Sequence, residues 1–159
     1  TDCGNFKYSN TTAASMRAAA ELLELGVEPN LVSDFIEMKP RKNIELLCKV
    51  LNTLTFFDDG RIGIIEINQE DYNKDIDTDS FISYPRYVEG VEVAVMFKAV
   101  EPEKTRVSMR SRWIDVSKIA LSFNGGGHIK AAGCTIEANL TEAKKQLVTK
   151  IIEEMRANK

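Results

Sequence analysis

Gly125-Gly126-Gly127-His128 is the densest run of residues that could do chemistry. Three consecutive glycines leave backbone N–H groups without side-chain cover, and such a stretch can form a nest for an anion. If Ile129 to Ala132 makes a helical turn, its N-terminus adds positive dipole at the same place. His128 is the single histidine of the chain. It can donate a hydrogen bond to phosphate or carry charge near neutral pH. A flexible helix end beside a surface histidine accounts for the same residues without a ligand. One glycine would suffice to stop a helix, so three point to close approach by something else. Both readings stay open at this stage.

The second feature is the run Lys104 to Arg112, which contains no acid. In a strand, residues two apart share a face, so Arg106, Ser108, Arg110 and Arg112 line one side while Val107 and Met109 point into a core. Guanidinium groups beside a hydroxyl make a phosphate-binding stripe. A solvated strand face, or an edge strand charged against aggregation, is the plain alternative. Trp113 can serve as a base-stacking platform; a core or strand-end residue is the better expectation.

The third feature is Thr1-Asp2-Cys3-Gly4-Asn5-Phe6, followed by Tyr8-Ser9-Asn10-Thr11. An Asp before a tight glycine turn can present a carboxylate at the end of a strand. One carboxylate is not a metal site, because Mn²⁺ or Mg²⁺ needs further oxygen or nitrogen ligands.

The elements that must position these groups can be read from periodicity. Thr11 or Thr12 caps a helix rich in Ala, Leu and Met that stops at Gly26. A short helix follows Pro29, with Leu31, Val32, Phe35 and Ile36 as its apolar side, and Pro40 ends it. Ile44, Leu47, Cys48, Leu51 and Leu54 follow helical spacing, which predicts one buried stripe with Cys48 as a small core residue. Asp58-Asp59-Gly60 is a turn before the strand-like Ile62 to Ile67. The acidic segment Glu66 to Asp79 lacks the spacing of a calcium loop and reads as a solvated loop or helix. Val91, Val93, Val95 and Phe97 alternate, which predicts a strand with one buried face. Glu101-Pro102-Glu103-Lys104 turns into the return strand. Asp115 caps a helix with Val116, Ile119, Ala120 and Phe123 inside. Cys134 to Glu137 makes a last short strand, and Thr141 opens a final amphipathic helix. The second part of the chain is thus an α+β unit with helices packed on a small sheet.

The whole chain has 159 residues, 43% of them apolar and 28% charged, the composition of a globular protein. No apolar run is long enough for a membrane span. A net charge of −3 excludes whole-surface attraction to nucleic acid, so a polyanion site must be a local basic patch. Three cysteines without a CxxC pair argue against a disulfide framework or zinc knot and favour a reducing, cytoplasmic location. The chain starts at Thr1 and an important segment begins at once, so a fragment of something longer is expected.

Together the three features resemble the DHH phosphoesterase family with its C-terminal DHH-associated domain. Gly125 to Gly133 matches that domain's GGGHxxAAG signature. Ser108-Met109-Arg110-Ser111 matches its SxRS strand, and Asp115 to Ala120 the helix leading into the glycines. Thr1 to Phe6 with Ser9-Asn10-Thr11 matches the last motif of the catalytic domain, with Cys3 in place of the usual Thr. Tyr84-Pro85-Arg86 and Glu89 to Val95 are most similar to the short oligoribonuclease and 3′-phosphoadenosine 5′-phosphate phosphatase branch.

The resemblance implies three segments. Residues 1–40 would be a helical remnant of the catalytic domain, 41–55 a linker helix, and 56–159 a small mixed-sheet DHH-associated domain that grips substrate. It further implies that Ser108, Arg110, Gly125, Gly126, Gly127 and His128 bind the nucleotide and that Asp2 is a metal ligand. The full-length enzyme would be cytoplasmic, often dimeric, and dependent on two Mn²⁺ ions; two metals can activate water and stabilise an in-line transition state at phosphorus. The other metal ligands would lie upstream of Thr1, so this chain alone is expected to bind substrate and not to turn it over. Short single-stranded RNA and nucleotide phosphates are the expected partners, with 3′,5′-bisphosphonucleotides as a further substrate. A dinucleotide phosphodiesterase of the same family, or a nucleic-acid-binding module without catalysis, is the alternative.

Overall fold

The computed structural model describes residues 4–7 and 10–157. Asp2 and Cys3 lie outside the described residues, as do Tyr8 and Ser9. The chain divides into two compact units, residues 1–39 and 40–159.

The first unit holds two helices, α1 (Ala13–Glu24) and α2 (Pro29–Glu37). Thr12 caps α1 reciprocally: its hydroxyl accepts from the Ser15 N–H at 3.1 Å, and the Ser15 hydroxyl accepts from the Thr12 N–H at 3.0 Å. At the other end Gly26 takes φ +90°, and the N–H groups of Gly26 and Val27 donate to the carbonyls of Leu23 and Leu22 at 2.9 and 3.0 Å. That pair of bonds is a Schellman stop, available to glycine without Cβ strain. Neither helix buries a single residue within this structure.

The second unit runs α3 (Arg41–Leu51), β1 (Thr55–Phe57), β2 (Ile62–Ile67), α4 (Ser83–Tyr87), β3 (Val93–Glu101), β4 (Lys104–Ser111), α5 (Val116–Leu121), β5 (Gly126–His128), β6 (Ala131–Ile136) and α6 (Leu140–Ala157). The strands form one mixed sheet in the order β1-β2-β3-β4-β6-β5. Only β2 and β3 run parallel, joined by the long connection that contains α4. The architecture is the expected α+β sheet with packed helices.

Alternation along the strands assigns the two faces. Val93, Val95, Phe97, Val107 and Met109 pack against α5 and α6, where Val116, Ile119, Leu147 and Ile151 complete a core. Fully burying one such Leu or Ile is worth roughly 1.5–3 kcal/mol. The opposite face carries Ile65, Ile67, Ala94 and Met96 against Leu46, Val50, Phe81, Ile82 and Val91. β3 is therefore buried on both sides, and the expectation of one buried face is corrected. The periodic valines mark one face, but Ala94 and Met96 are also covered, by α3 and the residues around α4.

The stripe expected on α3 is also displaced. Asn43, Leu46 and Val50 face inward, while Ile44 and Cys48 are exposed. Asn43 earns its buried place by donating to the Asp77 carbonyl at 2.9 Å, a bond that helical periodicity of apolar residues cannot reveal. The acidic segment is a connection of turns, with Asn73 and Asp77 side chains accepting from the N–H groups of Asp75 and Asp79.

Candidate functional site

On the second face, α3 and α4 pack over β2 and β3. Within this unit the same face of β4, β6 and β5 is left open: Arg106 and β5 are exposed, Ser108 and Arg110 half-buried. Register decides what meets there. Arg110 is opposite Ala131 on β6, and Ala131 is opposite His128 on β5. Ser108 is opposite Gly133, which is opposite Gly126. Partners directly opposite in antiparallel strands share a face. Ser108, Arg110, Gly126 and His128 therefore lie on one surface, in two adjacent rows. Ser108, Ala131, Gly133 and Gly126 give it a floor of small residues, with Arg110 and His128 at its sides. His128 and Arg110 sit two strand spacings apart, about 10 Å between backbones, a span that an arginine and an imidazole can close around one tetrahedral anion.

The glycine run starts at the end of α5, where the Gly125 N–H donates to the Ala120 carbonyl at 2.8 Å after Asn124 at φ +55°, and then continues as a strand. Gly126 to His128 form β5, and Ile129-Lys130 turn the chain into β6, so the condition of a helical turn at Ile129–Ala132 is not met and a hairpin stands there without a helix dipole. β6 accordingly starts at Ala131, earlier than the expected Cys134. Packing explains the glycines. A Cβ on Gly125 would come within 2.5 Å of Cys134 Cβ and closer still to the Gly133 carbonyl oxygen; one on Gly127 would sit 2.6 Å from the Ala131 carbonyl oxygen, at φ +141°. Gly133 likewise has the Val107 carbonyl oxygen 2.8 Å from its would-be Cβ. Gly126 is different: nothing lies within 4 Å of its would-be Cβ. Backbone packing thus requires Gly125, Gly127 and Gly133, and only Gly126 has space above it for a ligand.

The hairpin is fixed from the side. The Val116 N–H donates to the Ile129 carbonyl at 3.0 Å and the Ser111 N–H to the Lys130 carbonyl at 3.1 Å. The buried Ser111 hydroxyl accepts from the N–H groups of Trp113 and Ile114 at 3.1 and 2.9 Å. The second serine of the Ser108-to-Ser111 motif is thus a structural hinge and the first a surface hydroxyl. Asp115 caps α5, accepting from the Ser117 N–H at 3.0 Å and the Ser117 hydroxyl at 2.5 Å. Those bonds hold its carboxyl below the usual carboxylate range. Beneath β6, burial pushes the Cys134 thiol up to about 11, so it is a packing group and not a nucleophile.

The remaining arginines part company. Arg106 makes no hydrogen bond or ion pair among the described residues. Arg112 donates to the Arg86 carbonyl at 2.9 Å and so ties the end of β4 to α4. Trp113 is 74% exposed just past the end of β4, so of the expected core or strand-end position it takes the strand end. Lys98 and Thr135, both opposite Arg106, complete a further row on the open face that sequence reasoning did not include. The signal for Lys98 was its phase, out of step with Val95 and Phe97, but it needed the hairpin register to be used. A cavity of about 630 Å³ opens along this row, lined by Lys98, Arg106, Ser108, Gly125, Gly133 and Thr135 among others.

Comparison with known proteins came to the same segment. The DHHA1 domain pattern matches residues 62–157. A bifunctional oligoribonuclease and PAP phosphatase from Thermus thermophilus is 37% identical over 98% of this chain and 48% of its own length. An A-adding tRNA nucleotidyltransferase from Aquifex aeolicus is 31% identical over 92% of this chain and 18% of its own. Among solved structures, an exopolyphosphatase-related protein from Bacteroides fragilis superposes with a TM-score of 0.84 at 24% identity, covering 96% of this chain and 46% of that one. That likeness concerns the fold. The chain spans about half the length of the oligoribonuclease relatives it matches.

Proposed function

The chain belongs to the DHH phosphoesterase family through its DHHA1 domain, and from that premise we propose that it is the substrate-binding part of a metal-dependent phosphoesterase acting on short oligoribonucleotides and 3′,5′-bisphosphonucleotides. The observation that carries this reading is the register that sets Arg110, Ser108, Gly126 and His128 on one open face. A planar guanidinium and an imidazole there can hold a terminal phosphate with charge-assisted hydrogen bonds. Ser108 supplies a further hydroxyl, and Gly126 lets the sugar-phosphate approach the backbone.

Among the described residues no group of three or more His, Cys, Asp or Glu side chains is placed to hold a metal ion. Asp2 alone would not suffice, so no chemical step is derived from these residues. In this proposal manganese chemistry belongs to the rest of the whole protein, in the cytoplasm, and this chain presents the phosphate to it. No helix among the described residues is long and apolar enough to cross a membrane.

The likeness to an A-adding tRNA nucleotidyltransferase favours a second reading, an RNA-gripping module inside a different enzyme. One assay separates the two. The whole protein, given Mn²⁺ and a 5′-labelled RNA trinucleotide, should release mononucleotides, while the 159-residue chain alone should bind the RNA and leave it intact. A whole protein that binds but never cleaves supports the second reading; turnover by the repurified chain alone contradicts the first.

A further inference from the structure

The row that carries the clamp does not end at Arg110. Arg110 is opposite Ala94 on β3, Ala94 opposite Gly63 on β2, and Gly63 opposite Phe56 on β1, so one row runs from His128 to Phe56. α4 lies on that row: a Cβ on Gly63 would stand 3.2 Å from the Pro85 Cβ. Gly63 and Arg110 are two strand spacings apart, about 10 Å between backbones. The helix is therefore the wall of the open face on the side away from His128. Arg112 fixes it there, its guanidinium donating to the Arg86 carbonyl at 2.9 Å.

What this wall presents is aromatic. Among the described residues of the second unit, the exposed aromatic side chains are Phe56, Tyr84, Tyr87 and Trp113. Tyr84 and Tyr87 stand three residues apart, on neighbouring positions of one side of α4. Tyr87 follows Arg86 and Trp113 follows Arg112, so the bond between those arginines draws together the segments that carry the two most exposed rings of the unit. Tyr84, Tyr87 and Trp113 make no side-chain hydrogen bond or ring contact among the described residues. Single exposed apolar residues are ordinary, but several gathered beside one another mark an interaction site. The carboxylates nearby are placed for other work: Glu92 accepts from Arg61 at 3.0 Å and Asp115 caps α5, while Glu89 is exposed past the end of the helix. A neutral flat ring is compatible with those charges, whereas a further phosphate would meet them.

We infer that Tyr87 and Trp113, with Tyr84 beside them, form a nucleobase platform, on which the base stacks when its phosphate lies between Arg110 and His128. The inference rests on the clamp reading of Arg110 and His128 and adds a determinant to it. The clamp recognises phosphate alone and would take a sugar phosphate as readily as a nucleotide; the rings give the site its demand for a base. Stacking tolerates every base, because each has a π face. Phosphate and base are held by different elements, β4 and β5 for the one, α4 and the segment after β4 for the other. Their contributions therefore separate by substitution.

Trp113 is the single tryptophan of the chain, so its emission reports directly on a base stacked against it. The test is titration of the chain, by fluorescence and calorimetry, with adenosine 5′-monophosphate and with ribose 5-phosphate, which has the phosphate and lacks the base. The nucleotide should quench Trp113 and bind about fivefold to a hundredfold more tightly, the worth of one stacked base. Ribose 5-phosphate should bind without quenching. The pair Tyr87→Leu and Trp113→Leu, both at exposed positions, should remove most of that preference at an unchanged melting temperature and change ribose 5-phosphate affinity less than about threefold. Tyr87→Phe and Trp113→Phe, which keep a ring, should retain most of it. Equal affinity for the two ligands, a nucleotide that binds without quenching, or a preference that survives the leucine pair overturns the platform and leaves the clamp standing. Equal loss of both ligands in that pair also overturns it, because the rings would then support the shape of the site and not the base. If neither ligand binds the unsubstituted chain, or Arg110→Ala alters neither, the clamp fails and the platform falls with it.

Discussion

The three glycines look equivalent in the sequence and are not equivalent in the fold. Gly127 has φ +141° and backbone atoms 2.6 Å from its would-be Cβ, whereas Gly126 has open space. Gly127→Ala should therefore destabilise the second unit by about 1–3 kcal/mol, the usual range for forced backbone strain. Gly126→Ala should leave stability within about 0.5 kcal/mol and weaken nucleotide binding, because its methyl would occupy the floor beneath the ligand. Denaturant unfolding and nucleotide titration of the two variants check this contrast. A stable Gly127→Ala, or a Gly126→Ala that binds normally, would show that the roles are misassigned. Residue types at this site were legible because the motif is dense. Their division into packing and binding roles was not, since it depends on how closely β6 approaches, which no spacing in the sequence encodes.

Elements were legible where periodicity was strong and one-sided. The β3–β4 hairpin follows from its alternation and its turn, and α5 from Asp115 and the apolar positions after it. Reading failed where a second layer overrode the pattern. Ala94 and Met96 are buried by helices distant in sequence, and the inward face of α3 is set by Asn43 reaching Asp77. β5 was missed because a glycine-rich strand has no side chains to alternate. The α5 cap carries a prediction of its own. Asp115 has a depressed pKa in the folded state, from the Ser117 hydroxyl first and its N–H after burial has opposed them. Its ionised form thus favours the fold, fully above the unfolded carboxylate value of about 3.9, and the benefit is lost as pH falls through the lower folded value. Asp115→Ala should lower the melting temperature at pH 7, and the gap from the unsubstituted chain should close below about pH 4. A gap that persists unchanged at acidic pH would mean that the cap does not act through its charge. Since Val116 anchors Ile129, loss of this cap should also loosen the hairpin that carries His128.

At the scale of the whole molecule the two units differ in kind. The second has cores on both faces of its sheet. In the first, α1 and α2 bury no residue, and Phe35 and Leu25 are 87% and 82% exposed. Segment 40–159 should accordingly unfold cooperatively by itself, while a peptide of residues 1–39 should show little helix in water by circular dichroism; a stable, cooperatively melting 1–39 peptide would contradict this. The central claim is that the open face of β4, β6 and β5 grips a terminal phosphate through Arg110 and His128. The most direct measurement is calorimetric titration of the chain and its Arg110→Ala variant with a 5′-phosphorylated dinucleotide and with the same dinucleotide lacking that phosphate. One charge-assisted contact is worth roughly 1.5–3 kcal/mol, so Arg110→Ala should weaken the phosphorylated ligand about tenfold to a hundredfold and leave the other nearly unchanged. Arg110→Lys should recover only part of the loss, because it lacks the planar fork. Equal loss for both ligands, or loss for neither, would contradict the claim and leave Arg110 a scaffold residue.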